Sequence, residues 1–316
     1  MSEEFSDDTI VRQGPRALRV LRPLGEGGMG EVTVGARREG RFERTYAIKR
    51  LRPELRALPE ARRAFLEEAR LSALLYHPNV VRVHDAGEDD EGPFLVMDLV
   101  EGVSVLELVR EAARRDWEVP LEVALEIGRD IALGLRAAHE ARDAEGAPTP
   151  ILHRDVSPQN VLLGYDGIAR LADFGIARVL GSTSAHTRAI LQGKRGYMAP
   201  EILRFEPPVP ASDVFSAGVV LHELLAGEAL YRGPDLERRI LDEPPPDLLE
   251  ARPDAPDGLV ELTLTLLAKD PARRPAARLL VDRLEALLAE AALDALDEDP
   301  WTARRFVRAL FRVSVQ

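Results

Sequence analysis

The chain has 316 residues, of which 45% are hydrophobic and 30% charged, and its formal net charge is −12. This acidic balance argues against nonspecific nucleic-acid binding and against adsorption to an anionic membrane, because both need a basic surface. The chain has no cysteine, which excludes disulfides, thiolate metal sites and cysteine nucleophiles. The length suits two packed lobes, or one large domain with an extension.

The N-terminal stretch, residues 1–13, is acidic and lacks an apolar run. We therefore expect a disordered leader rather than a secretory signal. No stretch of the sequence approaches the roughly 18 apolar residues of a membrane-spanning helix. Together with the lack of cysteine, which fits a reducing compartment, these features predict a cytoplasmic protein without a membrane span.

Residues 14–100 have the pattern of a small β-rich region with one main helix. Short β-branched runs between glycine-rich turns predict strands at RALRVLRPLG, EVTVGARRE, RTYAIKRL and GPFLVMDLV. The segment PEARRAFLEEARLSALLYHP has apolar residues at helical spacing and a proline at its end, which predicts the helix.

After Glu101 the sequence becomes helical, and we expect a helical domain over residues 101–290. PLEVALEIGRDIALGLRAAHEAR has an apolar stripe, whereas ASDVFSAGVVLHELLAG is apolar nearly all round and is predicted to lie inside the core. Two more helices are expected at DGLVELTLTLLAKD and AARLLVDRLEALLAEAALDAL. The segments DAEGAPTP and DEPPPDLLEARPDAP predict surface loops.

Residues 291–316 are expected to be a helical extension, and their last part, WTARRFVRALF, is basic and amphipathic. This helix either packs onto the helical domain or remains exposed as a docking site for a partner. We expect packing, through Trp301, Phe306, Leu310 and Phe311.

The first motif with chemical meaning is GEGGMGEV, which matches G-x-G-x-x-G-x-V. Glycines let backbone N–H groups approach phosphates without interference from a Cβ atom. A plain glycine-rich hairpin is the alternative. A dinucleotide site needs a helix directly after the glycines, whereas a strand-like run follows here. The residues of the motif are Gly25, Gly27, Gly28, Gly30 and Val32.

Four further motifs follow in a fixed order. Lys49 stands in YAIKR, and the acids Glu67 and Glu68 lie on the helix behind it. HRDVSPQN, DFG and YMAPE then occupy residues 153–160, 173–175 and 197–201. Each motif alone can arise by chance, but their joint order and spacing make chance negligible.

On these motifs, the sequence resembles the bacterial branch of the eukaryotic-like Ser/Thr protein kinases over about residues 18–288. The resemblance implies an α+β, bilobal protein-kinase fold, with a small β-rich N-lobe and a larger helical C-lobe. It also implies a signalling enzyme that transfers the γ-phosphoryl group of ATP to Ser or Thr hydroxyls of protein substrates, with Mg²⁺.

The family pattern assigns the catalytic groups. Asp155 would accept the proton of the substrate hydroxyl, and Lys49 would hold the α- and β-phosphates. Glu68 would pair with Lys49; we prefer it to Glu67 because it directly precedes Ala69 in a family-like EEA run. The residues that would bind the metal ion are Asn160 and Asp173.

The adenine site is implied by LVMDLVEG, which resembles the hinge between the lobes. Met97 would be the gatekeeper, and the backbone of Asp98 and Val100 would bind the adenine edge. The residues expected to sandwich the ring by apolar contact are Val32, Ala47 and Leu162.

Further residues would support the site. Arg154 would pair with a phosphate on the activation segment, and Asp213 would anchor the backbone of the catalytic loop. Arg274 would pair with Glu201. The candidate phosphosites are Ser182, Thr183, Ser184 and Thr187, of which we favour Thr187 and then Thr183.

Two positions depart from the family pattern. Ser157 stands where lysine is expected, and Lys194 stands where threonine is expected. In related kinases, that lysine contacts the transferring phosphoryl group, and the threonine hydroxyl bonds to it and to the catalytic aspartate. One interpretation is two independent losses. The one we prefer is an exchange, which predicts that Nζ of Lys194 lies within roughly 4 Å of an Asp155 carboxylate oxygen.

Three alternatives remain. A pseudokinase scaffold tends to lack at least one of the catalytic residues, all of which are present here. A small-molecule kinase of related fold should lack a full activation segment ending in APE. Tyrosine kinases tend to carry alanine and arginine where Ser157 and Gln159 stand.

Overall fold

The computed structural model describes residues 10–11, 17–26, 30–143, 145–174, 194–294 and 300–313. The chain forms two compact units. The first contains the described residues up to Tyr76 and residues 81–100, and the second contains His77–Val80 and the described residues from Glu101 onward. In the described part of the chain, no helix is long and apolar enough to cross a membrane.

A six-stranded antiparallel sheet makes up most of the first unit, in the order β1-β2-β3-β4-β6-β5. Ile10 and Val11 belong to the expected leader, but as a β-branched pair they form a short strand beside β2. The strands are β1 (Ile10–Val11), β2 (Leu18–Glu26), β3 (Gly30–Glu39), β4 (Phe42–Leu51), β5 (Val83–Asp89) and β6 (Gly92–Asp98).

One long helix, α2 (Pro59–Ser72), accompanies this sheet and follows the short helix α1 (Pro53–Arg56). Proline at its first turn suits the helix start, where a missing N–H costs nothing. Its inner face packs Phe65 and Ala69 against Leu51 and Leu95 of the sheet. The helix ends at Ser72, well before the proline that the sequence suggested as its limit.

The second unit is mainly helical and includes a three-stranded sheet in the order β7-β8-β9. Helix α6 (Pro210–Ala226) is buried continuously from Ser212 to Leu225, as its nearly all-round apolarity predicts. The strands are β7 (Gly102–Ser104), β8 (Val161–Gly164) and β9 (Ala169–Leu171). The helices are α3 (Val105–Arg114), α4 (Leu121–His139), α5 (Pro200–Leu203), α6 (Pro210–Ala226), α7 (Leu236–Asp242), α8 (Leu248–Ala251), α9 (Asp257–Leu266), α10 (Ala277–Asp294) and α11 (Ala303–Phe311).

Two segments of this unit differ from expectation. The proline-rich surface loop contains helix α8, because Asp247 caps its N-terminus and Leu248 is buried beneath it. Helix α10 runs to Asp294 and so crosses residue 290, where the sequence suggested a boundary.

The C-terminal helix α11 packs onto the second unit, as expected. Phe306 and Leu310 are buried, and Trp301 and Phe311 are half-buried. The ring centroid of Trp117 lies 6.4 Å from that of Trp301 and 6.2 Å from that of Phe306. The apolar face of the helix is therefore covered by its own chain rather than exposed for a partner.

Candidate active site

The first unit contains a buried ion pair. Nζ of Lys49, on β4, lies 2.9 Å from Oε1 of Glu68, on α2, and each side chain is only 8% exposed. Glu67 points outward instead and pairs with Arg70. The choice of Glu68 over Glu67 thus corresponds to the side of α2 that faces the sheet.

The glycine motif lies in sequence between β2 and β3, and only part of it is described. Gly27 and Gly28 lie outside the described residues, whereas Gly25 and Gly30 lie within them. A Cβ atom on Gly30 would come within 2.6 Å of the Arg50 carbonyl oxygen on β4. Glycine therefore lets the two strands approach at this point.

The residues expected around the adenine ring occupy neighbouring strands of the first unit. Val32 lies opposite Lys49, and Ala47 lies opposite the buried Met97. The backbone N–H of Asp98 donates to the backbone carbonyl oxygen of Arg82 at 2.9 Å, which fixes the end of β6 just before Val100. Of this group, only Leu162 belongs to the second unit, on β8.

In the second unit, the carboxylate of Asp213 holds the backbone that leads to Asp155. It accepts hydrogen bonds from the N–H groups of His153 at 2.9 Å and Arg154 at 2.7 Å. Arg154 has a φ of 63°, a left-handed conformation that a non-glycine residue keeps only when its surroundings enforce it. Nε2 of His139 also lies 2.9 Å from Oδ2 of Asp213, and no sequence motif indicates this third partner.

Asp155 and Asn160 are bonded to each other. Nδ2 of Asn160 donates to both the backbone oxygen and Oδ2 of Asp155, at 2.8 Å each. Ser157, between them in sequence, is completely buried, and its hydroxyl lies 3.5 Å from the Asp155 carbonyl oxygen. The loop therefore closes tightly around a small residue at the position where the family has lysine.

A cation reaches Asp155 from another segment. Nζ of Lys194 lies 2.6 Å from Oδ2 of Asp155, so the contact that the exchange predicts is present. Both side chains are mostly buried, with 17% and 14% exposed. Buried charges of this kind depend on their partner, because an isolated one would lose its hydration without compensation.

The short 3₁₀ turn Arg195–Tyr197 follows Lys194 directly and is fixed on both sides. The hydroxyl of Tyr197 donates to Glu223 at 2.7 Å, and Ser216 donates to the Tyr197 carbonyl oxygen at 2.7 Å. Arg195 pairs with Glu237 at 2.6 Å. Burial, reinforced by the Glu223 carboxylate, raises the pKa of Tyr197, which keeps its hydroxyl protonated as the donor.

Asp173 lies two residues beyond β9, with a φ of 58°. The N–H of the preceding Ala172 donates to the backbone oxygen of Asn160 at 2.8 Å, which ties the two expected metal ligands into one local structure. The ring centroids of Phe174 and His153 lie 4.5 Å apart. Burial lowers the pKa of His153. Gly175 and the phosphosites Thr183 and Thr187 lie outside the described residues.

Glu201 and Arg274 form a second buried ion pair. Two parallel bonds join them, at 2.7 and 2.9 Å, and Ser212 donates to the same carboxylate at 2.6 Å. Burial alone would raise the pKa of Glu201, but the bonds from Arg274 and Ser212 outweigh it and lower the pKa. The pairing expected from the sequence is present.

The oxygen atoms available as metal ligands fit Mg²⁺. The amide nitrogen of Asn160 is turned toward Asp155, so its Oδ1 is the atom left for a metal ion. Among the described residues, no three His, Cys, Asp or Glu side chains cluster to hold a metal by themselves. Mg²⁺ is usually held by one or two protein oxygens together with substrate phosphates, and Oδ1 of Asn160 and the carboxylate of Asp173 would supply such oxygens.

The α+β fold and these motifs define a protein kinase. The sequence profile described as "Protein kinase domain" matches residues 18–284, and the chain belongs to this family. Its relatives place it among the bacterial eukaryotic-like kinases.

The chain is 36% identical over 288 residues to "Tyrosine-protein kinase MasK" of Myxococcus xanthus, covering 88% of this chain and 43% of the relative. It is 34% identical over 264 residues to "Serine/threonine-protein kinase PknA" of Mycobacterium tuberculosis, covering 81% of this chain and 57% of the relative. The chain thus spans about half the length of these relatives. It is similar to the crystal structure of the M. tuberculosis PknI kinase domain, with a TM-score of 0.64, 30% identity, and coverage of 86% of this chain and 96% of that one.

Proposed function

We propose that this chain is an ATP- and Mg²⁺-dependent protein kinase that transfers the γ-phosphoryl group to Ser or Thr hydroxyls of proteins. We further propose that it phosphorylates its own activation segment, at Thr187 and Thr183. The contact between Lys194 and Asp155 carries the proposal, because it supplies a cation at the base despite the serine at position 157.

Each unit supplies part of the proposed chemistry. In the first unit, Glu68 would hold the Lys49 ammonium in place to bind the α- and β-phosphates. In the second unit, Asp155 would orient the substrate hydroxyl and take its proton as the oxygen bonds to the γ-phosphorus and ADP leaves. Asn160 and Asp173 would hold Mg²⁺, which supplies charge neutralisation to the phosphates when bound.

The proposed exchange of positions rests on the reach and chemistry of lysine. An ammonium on a flexible stem is a compact charge with three donors, so it acts from several directions of approach, unlike the planar guanidinium of arginine. Lys194 would pair with Asp155 and donate to the γ-phosphoryl oxygens. Ser157 would keep only the local bonds of the loop.

A double-mutant cycle tests this assignment. Lys194→Thr should reduce transfer of labelled phosphate from ATP by about 10²–10³, the usual effect of removing one charge-stabilising contact. Adding Ser157→Lys should restore part of the rate, since the cation returns to the catalytic loop. Arg195→Thr is the matched control, because this neighbouring cation pairs with the exposed Glu237 and should leave the rate nearly unchanged.

The alternative function is a pseudokinase that serves as a signalling scaffold. It predicts that purified protein binds nucleotide but transfers no phosphate, and that Lys194→Thr changes neither property. If Lys194→Thr leaves measurable activity intact, the exchange is wrong. If wild-type protein is inactive with every protein substrate and with itself, the scaffold is the better interpretation.

The hydroxyl specificity needs its own test, because MasK is named a tyrosine kinase whereas PknA is named a serine/threonine kinase. We favour Ser and Thr because Ser157 and Gln159 stand where tyrosine kinases tend to carry alanine and arginine. Phosphoamino-acid analysis of the autophosphorylated protein distinguishes the two. Phosphotyrosine as the main product would overturn this preference.

We also propose that the partners are proteins rather than nucleic acids and that the enzyme acts in the cytoplasm. The net charge of −12 and the lack of cysteine support both statements. Filter binding to nucleic acid at low salt and fractionation of the native cells are the corresponding measurements.

A further inference from the structure

The C-terminal helix α11 lies beyond residue 284, where the match to the kinase family ends. It is nevertheless built into the second unit. Ala303, Phe306, Val307 and Leu310 are at most 1% exposed. At its N-terminus, the carboxylate of Glu126, on α4, accepts the N–H of Ala303 at 2.7 Å. Because its apolar face is buried and its first N–H group is bonded by a side chain of α4, helix α11 is an integral part of the second unit.

Helix α11 also sits on the turn that joins β8 to β9. Gly167, in this turn, has a φ of 87°, and a Cβ atom there would lie 2.6 Å from the Cβ and 2.8 Å from the backbone nitrogen of Arg304. Nε of Arg308 donates to the carbonyl oxygen of Tyr165 at 2.9 Å. The turn and the helix are thus in direct contact, with no room for a side chain between them.

The hairpin formed by β8 and β9 carries the proposed metal ligands at its other end. β8 begins immediately after Asn160, and Asp173 lies two residues beyond the end of β9. This hairpin belongs to a small sheet with β7, and its strands β8 and β9 are only four and three residues long. So short a sheet is stable only when it packs against other elements, so its orientation depends on them. Because Asn160 and Asp173 flank the two strands, a tilt of the turn would move both ligands together.

We propose that α11 positions the metal-binding end of this hairpin, with Arg304 and Arg308 as positioning residues. The inference rests on the proposed function, since it concerns Asn160 and Asp173 as Mg²⁺ ligands. Helix α11 acts by fixing the turn at the far end of the hairpin.

Arg308 allows this role to be separated from simple packing. Its Nη1 is buried and, among the described residues, has no hydrogen-bond partner. Burying Nη1 without a partner costs free energy, which offsets what the hydrogen bond from Nε contributes. Arg308→Met should therefore leave the unfolding temperature nearly unchanged while it removes the bond to the turn.

Two glycines give a matched pair of variants. Gly167→Ala forces α11 away from the turn, whereas Gly146→Ala meets nothing within 4 Å, and the two glycines have similar φ values of 87° and 83°. The backbone strain is therefore common to both variants, and only Gly167→Ala adds the clash.

The experiment measures ADP binding by calorimetry with and without Mg²⁺, and hydrogen exchange of the amides of residues 161–171. Gly167→Ala and Arg308→Met should weaken binding of Mg²⁺–ADP about threefold to tenfold. This is less than the roughly 10–100-fold typical of losing a residue that bonds directly to a metal ligand, because the turn lies at the far end of the hairpin. Binding of Mg²⁺-free ADP should stay within about twofold, and hairpin exchange should accelerate. Gly146→Ala should resemble wild type in all three measurements.

The possible results distinguish failure of the positioning role from failure of the proposed kinase function. If wild-type protein binds Mg²⁺–ADP and the two test variants bind it as Gly146→Ala does, the positioning role is wrong and the proposed function stands. Equal losses with and without Mg²⁺ would likewise overturn the positioning role, since they indicate general destabilisation. If wild-type protein does not bind Mg²⁺–ADP, the proposed function falls and this inference falls with it.

Discussion

Replacing Glu201 by glutamine should strongly destabilise the second unit. The carboxylate is 2% exposed and the Arg274 side chain that it pairs with is fully buried. Glutamine keeps the size and one acceptor, but it removes the negative charge and leaves a buried guanidinium without a counter-ion. Breaking a buried pair by removing one partner typically costs about 3–5 kcal/mol.

This cost should be visible in thermal unfolding. For a unit of this size, 1 kcal/mol shifts the unfolding temperature by about 2–4 °C, so Glu201→Gln should lower it by about 6–20 °C. The measurement is circular dichroism during heating at pH 7.5. Glu237→Gln is the control, because its pair with Arg195 has side chains that are 51% and 39% exposed, and an exposed pair contributes about 0–1 kcal/mol.

A compensating double variant sharpens the test. Glu201→Leu with Arg274→Met removes both buried charges, so it should recover much of the stability that Glu201→Gln loses. A shift for Glu201→Gln no larger than for Glu237→Gln would refute the argument. So would a double variant that is less stable than Glu201→Gln.

The pH dependence of this contribution has a definite sign. The pKa of Glu201 is lowered from 4.5 in the folded protein, so the carboxylate is favoured there. Its contribution is fully present above pH 4.5 and is lost as the pH falls through the lower, folded pKa. The gap in stability between wild type and Glu201→Gln should be constant from about pH 6 to 8 and should narrow in acid. A gap that widens in acid would contradict the assignment.

Three further predictions concern the proposed catalytic groups and the residues proposed to regulate or support them. Lys49→Met and Asp173→Asn should each reduce autophosphorylation by at least about 10²–10³ while the circular dichroism spectrum stays unchanged; turnover like that of wild type would refute their roles. Thr187→Ala should lower activity, because a phosphate there would gain bonds from Arg154, and fully active enzyme with an unmodified segment in phosphopeptide maps would refute it. Asp213→Ala leaves two backbone N–H groups without their acceptor and should cost about 1–3 kcal/mol for each in urea unfolding; a loss under 1 kcal/mol would contradict the anchoring role.

Much of the second unit could be predicted from the apolar pattern of its helices and from short motifs that match the kinase family. Helix α6 is apolar nearly all round, and a helix of this kind is normally buried. The anchor Asp213 and the pair of Glu201 with Arg274 were expected because their motifs match the family pattern. In each case the sequence alone identifies the residue, and the family supplies the partner.

The contacts that escaped prediction join residues that no shared motif relates. His139 meets Asp213 across 74 residues of sequence, and Tyr197 meets Glu223 across 26. Helix α3 was also missed, although Ser104 and Glu107 form a capping box that marks its start. The capping box is visible in the sequence and predicts the start of α3. The long-range pairs, in contrast, depend on packing that only the folded chain reveals.

The separation of Lys194 and Asp155 has a consequence for how kinases are sorted in genomes. A survey that labels a sequence inactive because the second residue after the base is not lysine would discard this chain. The two charged atoms lie 2.6 Å apart although the residues are 39 positions apart. Under the proposed exchange, the diagnostic character is a pair of positions, and alignments can be searched for it as a correlated substitution, with serine at one position and lysine at the other.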